Sequence, residues 1–346
     1  MDYALVSLIK ILAVIGGLLG AVAYLVLAER KISAYIQNRL GPNRVGPWGL
    51  LQPLADGLKF MFKEDVIPTH VNRVLYLAAP VAILIPALMG FAVVPFGDTI
   101  TIMGRTIRLQ VADLNIGILY ILATASLGVY GVVLAGWASN SKYALLGGIR
   151  ASAQMISYEL SLGLSLIGVL MVSGTLELNE IVVSQATHSL FGFLPRWNVF
   201  AQPLAFLIFT VSAFAEANRL PFDLPESEQE LVAGYHSEYS SMKFAMFFMA
   251  EYAHMITASA VIATLFFGGW HVPWLLDPLD TSLVASLLKV AAFSVKTGFF
   301  LFLFLWVRWT LPRFRYDQVM RLGWKVLLPL AIANVFITGV LMVLGR

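Results

Sequence analysis

Long apolar runs alternate with short polar connections along the whole chain. A helix that crosses a membrane needs about 20 mostly apolar residues. Runs of that kind occupy residues 3–28, 74–96, 113–138, 152–174, 198–216, 242–269, 286–308 and 324–344. Eight crossings are therefore expected, in a single membrane domain covering 1–346. The first run follows the acidic Asp2 and is too long for a cleaved signal sequence, so it reads as a permanent span.

Residues 49–63, GLLQPLADGLKFMFK, follow a different pattern. Leu50, Leu54, Leu58 and Met61 recur near helical spacing, while Asp56, Lys59 and Lys63 interrupt the other side. Such a segment fits a helix lying in the membrane interface, with Trp48 suited to the headgroup region. A short amphipathic helix packed on other loops fits the same pattern. Gly41-Pro42 and Gly46-Pro47 mark the turns leading into it.

Orientation follows from Lys and Arg in the short connections. The first loop holds Arg30, Lys31, Arg39, Arg44, Lys59, Lys63 and Arg73. Further loops of the same parity add Lys142, Arg150, Arg219, Lys243, Arg308, Arg313, Arg315, Arg321 and Lys325. The opposite side has only Arg105, Arg108, Arg196 and Arg346. The main loops, including residues 217–241, are expected in the cytoplasm and both termini outside.

Composition agrees with the pattern. Of 346 residues, 59% are hydrophobic and only 12% charged, against about 25% charged in ordinary globular domains. The solvent is a bilayer. A net charge of +3 with no basic tract argues against nucleic acid as a partner. The chain has no cysteine, which excludes disulfides, a catalytic thiol and thiolate ligation of an iron–sulfur cluster. Only His254 of the five histidines falls well inside an apolar run, so bis-histidine haem ligation lacks a second partner.

Candidate chemistry lies in the acids. Ionisable residues within membrane spans cost several kcal/mol and usually face a cavity, a partner or a proton path. Glu29 ends the first span, Glu216 closes the fifth, and Glu159 and Glu251 lie about two turns into the fourth and sixth. Both mid-span acids are then about 10–13 Å from the cytoplasmic helix ends. Lys296, deeper in the seventh span, is a candidate counter-charge. The simplest structural alternative is a set of buried pairs, Glu with Lys296 or Arg308, that only fix helix packing.

Residues 216–239, EANRLPFDLPESEQELVAGYHSEY, concentrate Glu216, Asp223, Glu226, Glu228, Glu230 and Glu238, with Arg219 the sole Lys or Arg. Ser227-Glu228-Gln229-Glu230 fits a capping box. Capping does not explain Glu226 and Glu230, four residues apart on one helix face, where they would repel.

Four segments resemble a known family: ERKISAYIQNRLGPNRVGPWGLLQPLADGLKFMFKED at 29–65, GWASNSKYALLGGIRASAQMISYE at 136–159, the acidic stretch at 216–240, and PRFRYDQVMRLGWK at 312–325. They resemble the quinone-site membrane subunit of respiratory complex I, called NADH dehydrogenase subunit 1 in mitochondria and the H subunit of NADH:quinone oxidoreductase in bacteria. The likeness runs in order over nearly the whole chain. PESEQELV stands where PEGESELV or PEAEAELV would equally fit, with its Glu positions kept.

The resemblance implies an all-α polytopic membrane protein of about eight transmembrane helices plus a cytoplasmic-side amphipathic interfacial helix. It implies a quinone, ubiquinone or menaquinone, as substrate, and no flavin, haem or iron–sulfur cluster on this chain. The expected partners are peripheral-arm quinone-site subunits, proton-pumping membrane subunits and the lipid bilayer. The implied location is the bacterial cytoplasmic (inner) membrane, or the mitochondrial inner membrane if organellar. Glu29, Arg30, Arg39, Trp48, Asp56, Arg308 and Arg313 are implied at the quinone tunnel and its gate. Glu159, Glu216, Glu251, Asp223, Glu226, Glu228 and Glu230 are implied in proton coupling. The related subunits of membrane-bound hydrogenases share weaker forms of these motifs. A stand-alone ion-coupled transporter would predict broken helices and paired, symmetric segments, and the sequence shows neither. A purely structural anchor leaves Glu159 and Glu251 without a reason.

Overall fold

The computed structural model describes residues 3–102, 105–187, 189–190, 194–223, 234–273, 280 and 282–344. Twelve helices follow one another in these stretches: α1 (Tyr3–Ile36), α2 (Gln52–Phe62), α3 (Arg73–Met89), α4 (Gly117–Ala138), α5 (Lys142–Ser173), α6 (Leu178–Thr187), α7 (Asn198–Ala201), α8 (Pro203–Glu216), α9 (Ser241–Phe266), α10 (Leu283–Thr310), α11 (Tyr316–Leu322) and α12 (Leu328–Leu344). Two small antiparallel hairpins, β1 (Thr99–Ile102) with β2 (Arg105–Arg108) and β3 (Ser189–Leu190) with β4 (Leu194–Pro195), complete the described structure. The chain is an all-α polytopic membrane protein. Seven helical stretches among the described residues are long and apolar enough to cross a bilayer.

The eighth apolar run, 198–216, is divided. Pro203 begins α8 after a break at Gln202, leaving an apolar helix of 14 residues, about 21 Å long. Proline is suited to a first helical turn, where its missing N–H satisfies nothing in any case. Gln202 faces inward: its amide donates to Thr338 Oγ1 at 2.9 Å and its carbonyl accepts from Asn334 Nδ2 at 3.1 Å. Gly168 on α5 leaves room for this knot, since a Cβ there would lie 2.7 Å from Asn334 Nδ2. Hydrogen bonds between helices and close approach at small residues are what hold helices together in lipid. Pro203 marks the break in the sequence, although the apolar run continues through it.

Two helices overrun their apolar stretches. α1 continues past Glu29 to Ile36, so Glu29 lies within it. α5 starts at Lys142, ten residues before its apolar run, and Glu159 is therefore near the midpoint of a 32-residue helix. The 49–63 segment does form a helix, α2, with no buried residue of its own. Pro53 sits in its first turn.

Chain direction places α2 and the connections 217–223, 234–240 and 311–315 at one end of the bundle and the β1–β2 hairpin and α6 at the other. At the α2 end, the start of α9 is tied to the segment after α2. Ser241 Oγ donates to the carbonyls of Phe60 and Lys63 (2.9 and 3.1 Å), and Lys243 pairs with Asp65 at 2.6 Å. Ser241 has φ +58, a conformation uncommon for a non-glycine residue. At the hairpin end, Lys296 donates to the carbonyls of Phe267, Gly269 and His271 at 2.7–2.9 Å. A helix C-terminus leaves carbonyls without intrahelical partners and favours a cation, so Lys296 is taken up there. This corrects the expectation of Lys296 as counter-charge to the acids.

The main core cluster lies among α1, α5, α8, α9 and α10, with Phe214 and Phe304 stacked at 4.0 Å. A second cluster, with Tyr76, Tyr235, Tyr239 and Phe247, joins α3, α4 and α9 to the 234–240 connection. Close approach of α3 and α4 depends on Gly131, where a Cβ would lie 2.8 Å from the Ile83 backbone nitrogen.

Candidate functional site

The site starts from a turn. After α8 the backbone folds back through Asn218 (φ +50) and a Phe222 N–H to Arg219 carbonyl bond of 2.8 Å. Gln154 on α5, fully buried, holds this turn: its amide donates to the Ala215 and Phe222 carbonyls, both at 2.9 Å. The turn aims Arg219 into the protein, where it is 2% exposed.

Two helices, α1 and α9, bring charge to Arg219. Its guanidinium contacts Glu29 of α1 at 3.2 Å and Glu251 of α9, and lies 4.3 Å over the Tyr252 ring. Tyr252 OH donates to Glu29 Oε2 at 2.6 Å, and Arg308 of α10 pairs with the other Glu29 oxygen. Beside them Arg313 pairs with Asp223 at 2.9 Å. Three arginines thus balance three carboxylates, with all the acids largely buried. Buried charges persist only when paired and hydrogen-bonded, and each carboxylate here is.

Against this cluster opens a cavity of about 640 Å³, bounded by α1, α2, α9 and the end of α10. Its wall is mostly apolar, with Val22, Val26, Phe60, Phe248 and Met249 among its residues. Its polar residues are Glu29, Arg30, Ser33, Arg39, Asp56, Tyr252 and Arg308. Arg30 and Asp56 pair across α1 and α2 at 2.6 Å, and Gln52 also donates to Asp56 at 2.9 Å. Five of the seven residues implied at a tunnel or gate therefore line one cavity. Trp48 does not: it is 80% exposed, and its carbonyl accepts from Lys31 at 2.6 Å. Arg313 stands behind the cluster, on Asp223.

Of the seven acids implied in proton coupling, four lie among the described residues. Glu251 touches the cluster through Arg219 and also lines a small cavity of about 40 Å³ with Asn218, Glu216 and His254. Glu216 and His254 border a second cavity of the same size, mostly apolar, between α4, α5, α8 and α9. Glu159 accepts from Ser126 of α4 and interacts electrostatically with Glu216. Asp223 and Glu251 border one small cavity with Arg219, Glu251 and Glu216 border another, and Glu216 interacts with Glu159, so the four acids form a series. Glu226, Glu228, Glu230 and the Ser227–Glu230 capping pattern lie outside the described residues.

Arg219, Tyr252 and Ser126 take part here without having been expected from the sequence. Arg219 carried a signal as the lone cation among six acids, and Tyr252 a weaker one as neighbour of Glu251. Ser126 had none, because a serine in an apolar helix is common.

The connection into α9 carries a pH-sensitive group. His236 is 3% exposed, packed between Tyr235 and Phe244, and burial pushes its imidazole down to about 4. Below the ordinary value near 6.5 the unfolded segment binds a proton that the folded one refuses. Local stability is then full above about pH 6.5 and declines as pH falls toward 4. Amide exchange of residues 235–243, corrected for intrinsic rate, should accelerate over that window. His236→Phe should flatten the dependence, and an unchanged slope in that variant would assign it elsewhere.

Known proteins share this sequence along almost all of its length. A family model described as NADH dehydrogenase matches residues 9–339. An H subunit of NADH-quinone oxidoreductase from Koribacter versatilis, the one numbered 2, is 55% identical, covering 99% of this chain and 98% of that protein. The H subunit numbered 1 of the NADH-quinone oxidoreductase of Geobacter sulfurreducens is 52% identical over 98% of this chain and 96% of its own length. Its counterpart numbered 1 in Cytophaga hutchinsonii is 53% identical over 91% and 90%. With a match along nearly its full length, the chain belongs to the NADH dehydrogenase family, in the branch whose members are named as the H subunit of NADH-quinone oxidoreductase.

Proposed function

We propose that this chain is the quinone-site membrane subunit of a proton-translocating NADH:quinone oxidoreductase and couples quinone reduction to proton movement through its buried carboxylates. The observation that carries the reading is one cavity of about 640 Å³ with an apolar wall and a charged inner end. Its size falls within the ~300–1,000 Å³ of small-molecule sites, and the apolar wall suits a lipid-soluble substrate. The α2 end would face the cytoplasm of a bacterium, in its inner membrane. There it would meet the peripheral-arm subunits, which supply the electrons, while proton-pumping subunits flank the bundle.

Quinone reduction takes up two electrons and two protons. Arg308 and Tyr252 hold Glu29 at the inner end of the cavity, where a change in substrate charge is felt directly. Arg219 is shared by Glu29 and Glu251, so a shift of its guanidinium toward one carboxylate weakens its hold on the other. Loosening Glu251 favours its protonation, since an acid loses a charge partner. Closely spaced acids titrate as a coupled group, and the change would pass to Glu216 and Glu159.

Glu159→Gln and Glu216→Gln in the assembled complex test the relay. Proton translocation should fall on the order of a hundredfold in at least one, as when a proton-transfer group is removed. Full quinone reductase activity and full pumping in both variants would sink it.

A further inference from the structure

His254 lies on α9, one turn after Glu251, and takes no part in the arginine cluster. Its Nε2 is 3.5 Å from Glu216 Oε1, and their side chains are 22% and 9% exposed. Both residues border both small cavities. The cavity toward Glu251 carries the polar side chains of Thr124, Asn218 and Tyr235 in its wall and is large enough to admit water. Beyond the pair, the second cavity offers only Thr257 among apolar side chains.

A lone carboxylate in such a place changes net charge whenever it gains or loses a proton, and burial penalises the charged form. An imidazole beside it leaves that change of charge as it is but gives the arriving proton a second atom on which to rest. We propose that His254 and Glu216 form a proton-holding dyad, in which the imidazole is a second acceptor for the proton of Glu216. The carboxylic acid with neutral imidazole and the carboxylate with imidazolium differ only in which atom, Oε1 or Nε2, carries the proton. Net charge of the pair is zero in both. A proton that has entered the pair can therefore move between the two atoms at constant net charge, and its departure toward Glu251 returns the pair to one negative charge.

The groups facing the dyad permit this. From α5, Glu159 interacts with Glu216. From α9 itself comes Glu251, already engaged by Arg219, and from the 234–240 connection Tyr235. Among the described residues, α3 and α4 contribute no titratable side chain to either cavity. Ordinary imidazole titrates near pH 6.5, about two units above a glutamate, so the histidine places an acceptor nearer neutrality in a series otherwise made of carboxylates.

The proposal rests on the relay reading, and the test separates the two. Sealed membrane vesicles carrying the assembled oxidoreductase, as wild type, His254→Asn, His254→Gln and Glu216→Gln, are assayed for quinone reduction and proton translocation across pH. Both histidine variants should shift the inflection of proton translocation by about one pH unit. Wild-type profiles in both, with Glu216→Gln impaired, would overturn the dyad and leave the relay standing. Wild-type behaviour of all three would overturn the dyad and take Glu216 out of the relay. Should the histidine variants not assemble, infrared difference spectra of the unaltered complex with ring-labelled histidine supply the answer. An imidazole-to-imidazolium change on quinone reduction is expected, and its absence would overturn the dyad.

Discussion

Replacing Arg219 with leucine should all but remove the assembled protein from the membrane. The guanidinium is 2% exposed and touches Glu29, Glu251 and the face of Tyr252. Arg308 would still hold Glu29, but Glu251 would lose the partner that α8 and the turn after it deliver. Removing one member of a buried pair costs about 3–5 kcal/mol, because the remaining charge stays buried while that counter-charge is gone. That is comparable with the whole stability of many domains, about 5–15 kcal/mol. Arg219→Lys keeps the charge but loses the planar fork and the stacking on Tyr252, and should accumulate better than the leucine variant while remaining impaired. Quantifying the protein in membranes, beside quinone reductase activity, decides the matter. Wild-type amounts of an active Arg219→Leu complex would show that Glu251 finds another partner and that the cluster is not held by Arg219.

Gly57→Trp should act in the opposite sense, leaving the protein folded and closing the large cavity. Gly57 is the sixth residue of α2, lines the cavity, and has open space where a Cβ would be. Glycine inside a helix is about 0.8–1 kcal/mol worse than alanine, so a side chain here favours α2. The indole would project into the space between α2, α1 and α9. If a lipid-soluble quinone passes there, its reduction should fall at least about tenfold, equivalent to about 1.4 kcal/mol. The loss should be greater for long-tailed than for short-tailed quinones, and assembly should be undiminished. Equal activity with both substrates and wild-type rates would remove this cavity from the substrate's route.

The helices were legible because lipid imposes one rule on long segments: apolar side chains outside and backbone hydrogen bonds closed within. That rule fails where a helix leaves the lipid. The first ten residues of α5, KYALLGGIRA, include Lys142 and Arg150 and read as a loop. Gly147 and Gly148 there pack against the 234–240 connection and α4, and tertiary contact carries the helix through. The same limit applies to the site. Single ionisable residues in apolar runs stand out, which is why Glu29, Glu159, Glu216 and Glu251 were found. Their partners arrive from distant elements, and Arg219 with Glu29, separated by 190 residues, shares no local pattern. Lys296 shows the reverse error. Its depth in an apolar run suggested a carboxylate partner, whereas backbone carbonyls at a helix end met the need.

The Ser241 hydroxyl and the Lys243–Asp65 pair fasten the first turn of α9 to the chain just beyond α2. α2 forms one lip of the large cavity, and α9 carries Tyr252 in its wall and Glu251 on Arg219 behind it. Lip and charge cluster therefore share an anchor with no slack loop between them. Any displacement of α2 would pull on the base of α9, the helix that brings Glu251 and Tyr252 to Arg219.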